Sequence, residues 1–133
     1  MVRKDFDKAL AGGSLPSVLL FEGEEEQMKQ DALAALRKTL LPAGMEEMNE
    51  MVRDDPETDQ VIAAAETLPF LADRRLIVLR DHPAVTGRGE ADDKLVAYLP
   101  SVPSTAMLLF YCTGKPDARK KLYTATTPAA ATR

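Results

Sequence analysis

Three stretches of this chain are apolar without interruption and short: Val18-Leu19-Leu20-Phe21, Leu76-Ile77-Val78-Leu79 and Ala106 to Tyr111 (AMLLFY). A strand with one wet face alternates apolar and polar residues. An unbroken apolar run of this length suits a strand covered on both faces. That requirement excludes most all-β and all-α folds, because something must cover both sides of the sheet.

The intervening segments change period. Over residues 24–41, Met28, Ala32, Ala35, Leu36 and Leu40 recur at spacings of three and four, which marks one face of an amphipathic helix. Glu24, Glu25 and Glu26 fall in its first turn and Arg37 and Lys38 in its last, as the helix dipole favours. Pro42 and Gly44 end it. Met48 to Arg53 reads as a weaker strand, broken by Asp54-Asp55-Pro56. Thr58 is placed to cap a helix through Val61, Ile62, Ala65 and Leu68, and Pro69 discourages its continuation. Residues 90–99 read as a short helix with Leu95, Val96 and Leu99 inward, and Lys115 to Tyr123 as a loop entering another helix.

The order β-α-β-α-β-α-β predicts an α/β fold, a mostly parallel sheet flanked by helices in three layers. With 133 residues there is room for one core, assigned to 1–123. From Thr124 the chain reads TATTPAAATR, without apolar period, so 124–133 is expected to be a disordered or truncated tail.

Catalytic machinery is hard to find. A strand, a glycine and a helix start form the setting in which P-loop proteins hold phosphate. Here Gly23 is followed by Glu24, Glu25, Glu26, Gln27, Met28 and Lys29. The second glycine is missing, no hydroxyl residue follows Lys29 to hold magnesium, and three carboxylates stand where an anion would sit. Asp54, Asp55 and Asp59 lie in a turn and a helix start, where acids cap and solvate. Asp92-Asp93 has the same explanation. Cys112, the single cysteine, follows an apolar strand and reads as a buried inert thiol, and His82, the single histidine, as an exposed loop residue before Pro83. No cofactor or metal is expected, and no intrinsic catalysis.

Charge and length narrow the partners. Residues 1–66 hold 7 Lys/Arg against 15 Asp/Glu, and residues 67–133 hold 10 against 6. An acidic first half argues against direct phosphate binding as the main task. Lys115, Arg119, Lys120 and Lys121 form a basic cluster near a helix start, a candidate DNA contact or a solvated face. No apolar run reaches membrane-spanning length, and MVRKDFDKAL lacks the apolar centre of a signal peptide, so a cytoplasmic protein is expected.

One segment stands apart: Thr67-Leu68-Pro69-Phe70-Leu71-Ala72-Asp73-Arg74-Arg75. Phe70 and Leu71 are adjacent bulky apolar residues after a helix-ending proline. Either both pack beneath the helix as a hydrophobic closure, or at least one projects outward as a protein-binding plug.

Three stretches carry a family resemblance: LLFEGEEEQMKQDALAALRKTLLP, ETLPFLADRRLIVLRD and STAMLLFYCTGKPDARKKLY. Together they resemble the delta-subunit family of the bacterial DNA polymerase III clamp loader, over about residues 1–123. The run Leu68 to Leu76 is the specific part, and Asp117, Arg119, Lys120 and Leu122 match a later signature. The resemblance implies an AAA+-like domain with a degenerate nucleotide site. It implies a ring-shaped sliding clamp as partner, other loader subunits in the full-length protein, and DNA met only indirectly. The family is counted as part of a DNA-directed DNA polymerase.

It also implies that Phe70 and Leu71 insert into a hydrophobic pocket of the clamp, with Leu68 and Arg74 beside them. Many relatives carry Phe at the second place; Leu71 keeps an apolar plug of smaller size. Arg75 is expected to flank the strand, while Arg74 fits either a rim contact or that same role. Family members continue into a small helical domain and a helical collar, and this chain stops before both, as an excised piece or a truncated product would. The alternative function is a degenerate P-loop-like nucleotide-binding ATPase domain.

Overall fold

The computed structural model describes residues 3–132 apart from 14, 24, 55, 88–91 and 127–130. Helix α1 (Arg3–Gly12) leads into strand β1 (Val18–Phe21), followed by α2 (Glu26–Leu40), α3 (Glu46–Asn49) and β2 (Glu50–Arg53). Then come α4 (Thr58–Glu66), β3 (Arg75–Arg80), α5 (Pro83–Thr86) and α6 (Asp93–Tyr98), which a 3-10 turn (Leu99–Ser101) extends. Strand β4 (Ala106–Tyr111), α7 (Lys121–Thr126) and β5 (Ala131–Thr132) complete the chain. The strands form one sheet in the order β2-β3-β4-β1-β5, and every pairing is parallel.

The doubly covered parallel sheet expected from the apolar runs is the one observed. Alternate residues of each run feed opposite layers. Leu19, Phe21, Leu76, Val78, Met107 and Leu109 pack with Phe6, Ala32 and Leu36, so α1 and α2 cover one face. Leu20, Ile77, Leu79, Leu108 and Phe110 pack with Val61, Ala65, Val85, Leu95 and Leu122, so α4 to α7 cover the other. The chain moves across the sheet one way from β1 to β2 and back the other way from β2 to β4. Right-handed crossovers therefore put the helices of the two legs on opposite faces.

Several boundaries differ from the sequence reading. The segment Met48-Asn49 belongs to the short helix α3, and β2 starts at Glu50. Glu46 accepts the Gly44 N–H at 3.0 Å, and Asn49 Nδ2 donates to the Met45 carbonyl at 3.1 Å, closing a turn that strand propensity does not reveal. Helix α2 is rotated at its start: Met28 is exposed, and Lys29, only 2% exposed, lies inward with Ala32 and Leu36. Helix α4 is capped by Glu57, in a reciprocal box with Gln60, rather than by Thr58. It ends at Glu66, so Leu68 does not continue its buried face. Residues 90 and 91 of the expected 90–99 helix lie outside the described residues; Asp92 caps α6 by accepting the Leu95 N–H at 2.9 Å.

His82 is buried, not exposed. It caps α5 by accepting the Ala84 N–H on Nδ1 at 3.2 Å, and its ring meets Phe110 edge-on at 6.2 Å. Regular structure also passes residue 123: α7 runs through Thr126, and residues 131–132 pair with β1. Leu122 is buried against the sheet, which anchors α7, and the Thr126 hydroxyl donates to the Tyr123 carbonyl at 2.9 Å within its last turn.

Candidate functional site

Large apolar side chains are exposed at five described positions, and four of them gather at one end of the molecule. Leu68 is 73% exposed, Phe70 46%, Leu71 72% and Met48 52%. The fifth, Met28, lies in the first turn of α2. Leu68, Phe70 and Leu71 occupy the turn from α4 into β3, at the amino-terminal edge of the sheet. Small-molecule sites of open parallel sheets lie at the opposite, carboxyl edge. An apolar cluster at the wrong edge for a cofactor is suited to a protein surface.

Local sequence explains why the turn projects. The Thr67 N–H bonds to the Ala64 carbonyl at 3.3 Å and its hydroxyl to the Ala63 carbonyl at 2.7 Å, which satisfies the helix end before Pro69. Leu71 then adopts φ +52°, a left-handed conformation that costs a non-glycine residue roughly 1–2 kcal/mol. The reversal carries the Leu71 side chain into solvent.

A buried residue holds the turn in place. Asn49 is fully buried, accepts the Phe70 N–H on Oδ1 at 2.6 Å and donates from Nδ2 to the Phe70 carbonyl at 2.8 Å. Its carboxamide thus treats Phe70 as a neighbouring strand would, and the aromatic ring remains outside the core. Neither Asn49 nor Met48 was singled out by the sequence. The signal was an asparagine inside an apparent strand, where asparagine is unfavourable.

The two arginines behind the turn are tied to backbone. Arg74 is half-buried; its Nε donates to the Ser104 carbonyl at 2.9 Å, joining the start of β3 to the approach to β4, and burial lowers its pKa from the usual value. Arg75 Nη1 donates to the Met48 carbonyl at 3.0 Å, bracing α3 against β3, as its expected place beside the strand requires.

At the carboxyl edge, a cavity of about 380 Å³ is lined by Glu22, Gly23, Thr113, Gly114, Lys115 and Tyr123 among others. This is where a P-loop would act, and the residues present do not fit a triphosphate. Lys29 Nζ donates to the Cys112 carbonyl at 2.5 Å and pairs with Glu26 at 3.1 Å. The Tyr111 hydroxyl donates to the other Glu26 oxygen. Desolvation raises the Glu26 pKa, but the bonds from Tyr111 and Lys29 outweigh it and leave the carboxyl below its usual value. For Tyr111, burial and then Glu26 raise the hydroxyl pKa well above the usual value. The lysine in the phosphate register is therefore occupied by the protein itself, beside a carboxylate.

Several of the remaining candidates are buried or engaged within the protein. Burial pushes the Cys112 thiol up to about 12, with the charges of Asp81 and Glu22 adding to it. Asp54 pairs with Arg80 at 2.7 Å and Asp59 with Lys94, and Asp55 lies outside the described residues. Among the described residues no group of three His, Cys, Asp or Glu side chains is arranged to hold a metal ion. In the basic cluster, Arg119 is held by Asp117 at 3.0 Å and Lys121 lies 3.5 Å from Asp93. No described helix is long and apolar enough to cross a membrane.

Comparison with known proteins bears on the whole domain. The family profile described as DNA polymerase III, delta subunit, matches residues 19–131. DNA polymerase III subunit delta of Bacillus subtilis is 32% identical over 127 residues, covering 89% of this chain and 37% of that protein. The solved structure of a Bacillus subtilis DNA clamp loader delta protein superposes with a TM-score of 0.83 at 28% identity, over 97% of this chain and 41% of that one. A gamma subunit-related protein from Thermotoga maritima shares the fold, with a TM-score of 0.64 at 12% identity, over 96% and 44%. The chain thus spans about two-fifths of the relatives it matches.

Proposed function

Because this chain belongs to the DNA polymerase III delta-subunit family, we propose that it is the clamp-contacting domain of a clamp loader subunit, docking on a sliding clamp through the apolar turn at Leu68, Phe70 and Leu71. The observation that carries this reading is the exposure of three bulky side chains on a turn whose backbone is held by a buried asparagine. Arg74 borders the contact and supports the turn from behind. The proposed setting is bacterial cytoplasm, with the other loader subunits attached to parts of the protein beyond this domain and DNA encountered through the clamp.

Small plugs can dominate such contacts. Burying a Phe or Leu side chain fully is worth roughly 1.5–3 kcal/mol. A micromolar complex corresponds to about 8 kcal/mol. Binding alone does not open a ring, since a ligand shifts an equilibrium only by its differential affinity for the two states. In the proposed mechanism Phe70 and Leu71 anchor the turn while the rigid α/β body keeps the neighbouring clamp element from returning to its closed position. ATP then acts through other subunits, by exposing or covering this surface.

The test is titration of the chain against a purified bacterial sliding clamp, with saturable binding expected at micromolar concentrations or below. Absence of binding at ten times that concentration refutes the reading. The competing ATPase reading predicts a melting temperature that rises with ATP–magnesium concentration, since a ligand of the native state alone stabilises it. The engaged Lys29 predicts no such rise.

A further inference from the structure

Asn49 lies 21 residues from Phe70 in sequence and meets both of its backbone polar groups. Its third hydrogen bond, to the Met45 carbonyl, fixes the carboxamide on α3. Helix α3 is in turn joined to β3 through the Arg75–Met48 bond. Every polar atom of this buried side chain is therefore engaged in connecting the exposed turn to the sheet. A buried amide contributes to a stable core only when satisfied, and an apolar residue of similar size would fill the same space without that requirement. The feature gained by using asparagine here is a defined Phe70 backbone.

We propose that Asn49 is the positioning residue of the apolar turn: it holds residues 68–71 in the conformation that presents Phe70 and Leu71 to the partner. The consequence for binding rests on the clamp-contact reading above; the geometry does not. Freed of Asn49, the turn has no other bond from Phe70 into the core among those described. Its left-handed Leu71 would then relax toward ordinary backbone conformations. A turn that holds the binding conformation a tenth of the time binds about tenfold more weakly.

The experiment compares the chain with Asn49→Ala, with Phe70→Ala/Leu71→Ala, and with the triple variant. Two quantities are read: affinity for a purified sliding clamp, and exchange of the Phe70 amide hydrogen in the free protein. The expected result for Asn49→Ala is roughly tenfold weaker binding and loss of Phe70 amide protection, with the amides of β3 and β4 still slow. In the background that already lacks Phe70 and Leu71, removing Asn49 changes affinity by less than about twofold, because its effect runs through them.

Unchanged Phe70 exchange, or unchanged affinity beside a weakened Phe70→Ala/Leu71→Ala protein, overturns the proposal. So does an equal loss in both backgrounds, which marks general destabilisation. If Phe70→Ala/Leu71→Ala binds as tightly as the parent, the clamp-contact reading fails and the exchange measurement alone decides whether Asn49 holds the turn. If Asn49→Ala does not fold, Asn49→Ser carries the same two measurements.

Discussion

Replacing Phe70 and Leu71 together by alanine tests the surface most directly, and its size follows from the structure. Phe70 is 46% exposed and Leu71 72%, so docking can remove only those fractions from water. Scaled from roughly 1.5–3 kcal/mol for complete burial of each side chain, the pair contributes about 1.8–3.5 kcal/mol to binding. At about 1.4 kcal/mol per decade, the double variant binds the clamp roughly 20- to 300-fold more weakly. Folding loses the complementary buried share, about 1.2–2.5 kcal/mol on the same scale, which a domain of this size should survive as a folded protein. The assay is paired: a binding titration against the clamp, and urea unfolding followed by circular dichroism. Cooperative unfolding with a loss of affinity below about threefold refutes the reasoning, because the pair then lies outside the interface. Loss of the folded baseline refutes it differently, by showing the pair to be part of the core.

Three further outcomes follow from the remaining geometry. Lys29→Met removes the donor to the Cys112 carbonyl and the partner of Glu26, so urea unfolding should show a loss of about 1–3 kcal/mol while the melt stays insensitive to ATP. Gly87→Ala places a methyl group 2.8 Å from an Asp117 carboxylate oxygen on a backbone at φ +83°, and should cost roughly 1–3 kcal/mol by the same measurement. Acid titration should reveal the carboxylates: the Arg119 guanidinium and backbone N–H lower Asp117 from 3.8 to about 2, and Glu26 also lies below its usual 4.5. Their stabilisation is complete above about pH 5 and is lost as pH falls through the folded-state values, so their contribution should appear as a fall in urea midpoint below about pH 4.5.

The sheet was legible because its cause is local. Val18–Phe21, Leu76–Leu79 and Ala106–Tyr111 have no polar side to turn toward water, so each must lie between two layers whatever the rest of the chain does. The helices between them follow from period and punctuation. The failed P-loop was equally legible, since the second glycine and the hydroxyl residue are simply other residues. The later signature, by contrast, gave Asp117 and Arg119 without showing that the carboxylate grips the guanidinium or that Gly87 makes room for it.

What the chain could not reveal by itself depends on contacts between distant residues. Spacing alone left Phe70 and Leu71 open between core and surface, and only the family resemblance pointed outward; their exposure is decided by α4 ending at Glu66 and by Asn49 gripping the Phe70 backbone from α3. Lys29 read as one helical residue among others, yet its ammonium reaches a carbonyl 83 positions away at the end of β4. Which face each helix covers was likewise set by strand order, through the handedness of the crossovers. Local patterns fix which segments must be buried, because burial acts on each side chain separately; position, pairing and exposure at the edges come only when distant segments meet.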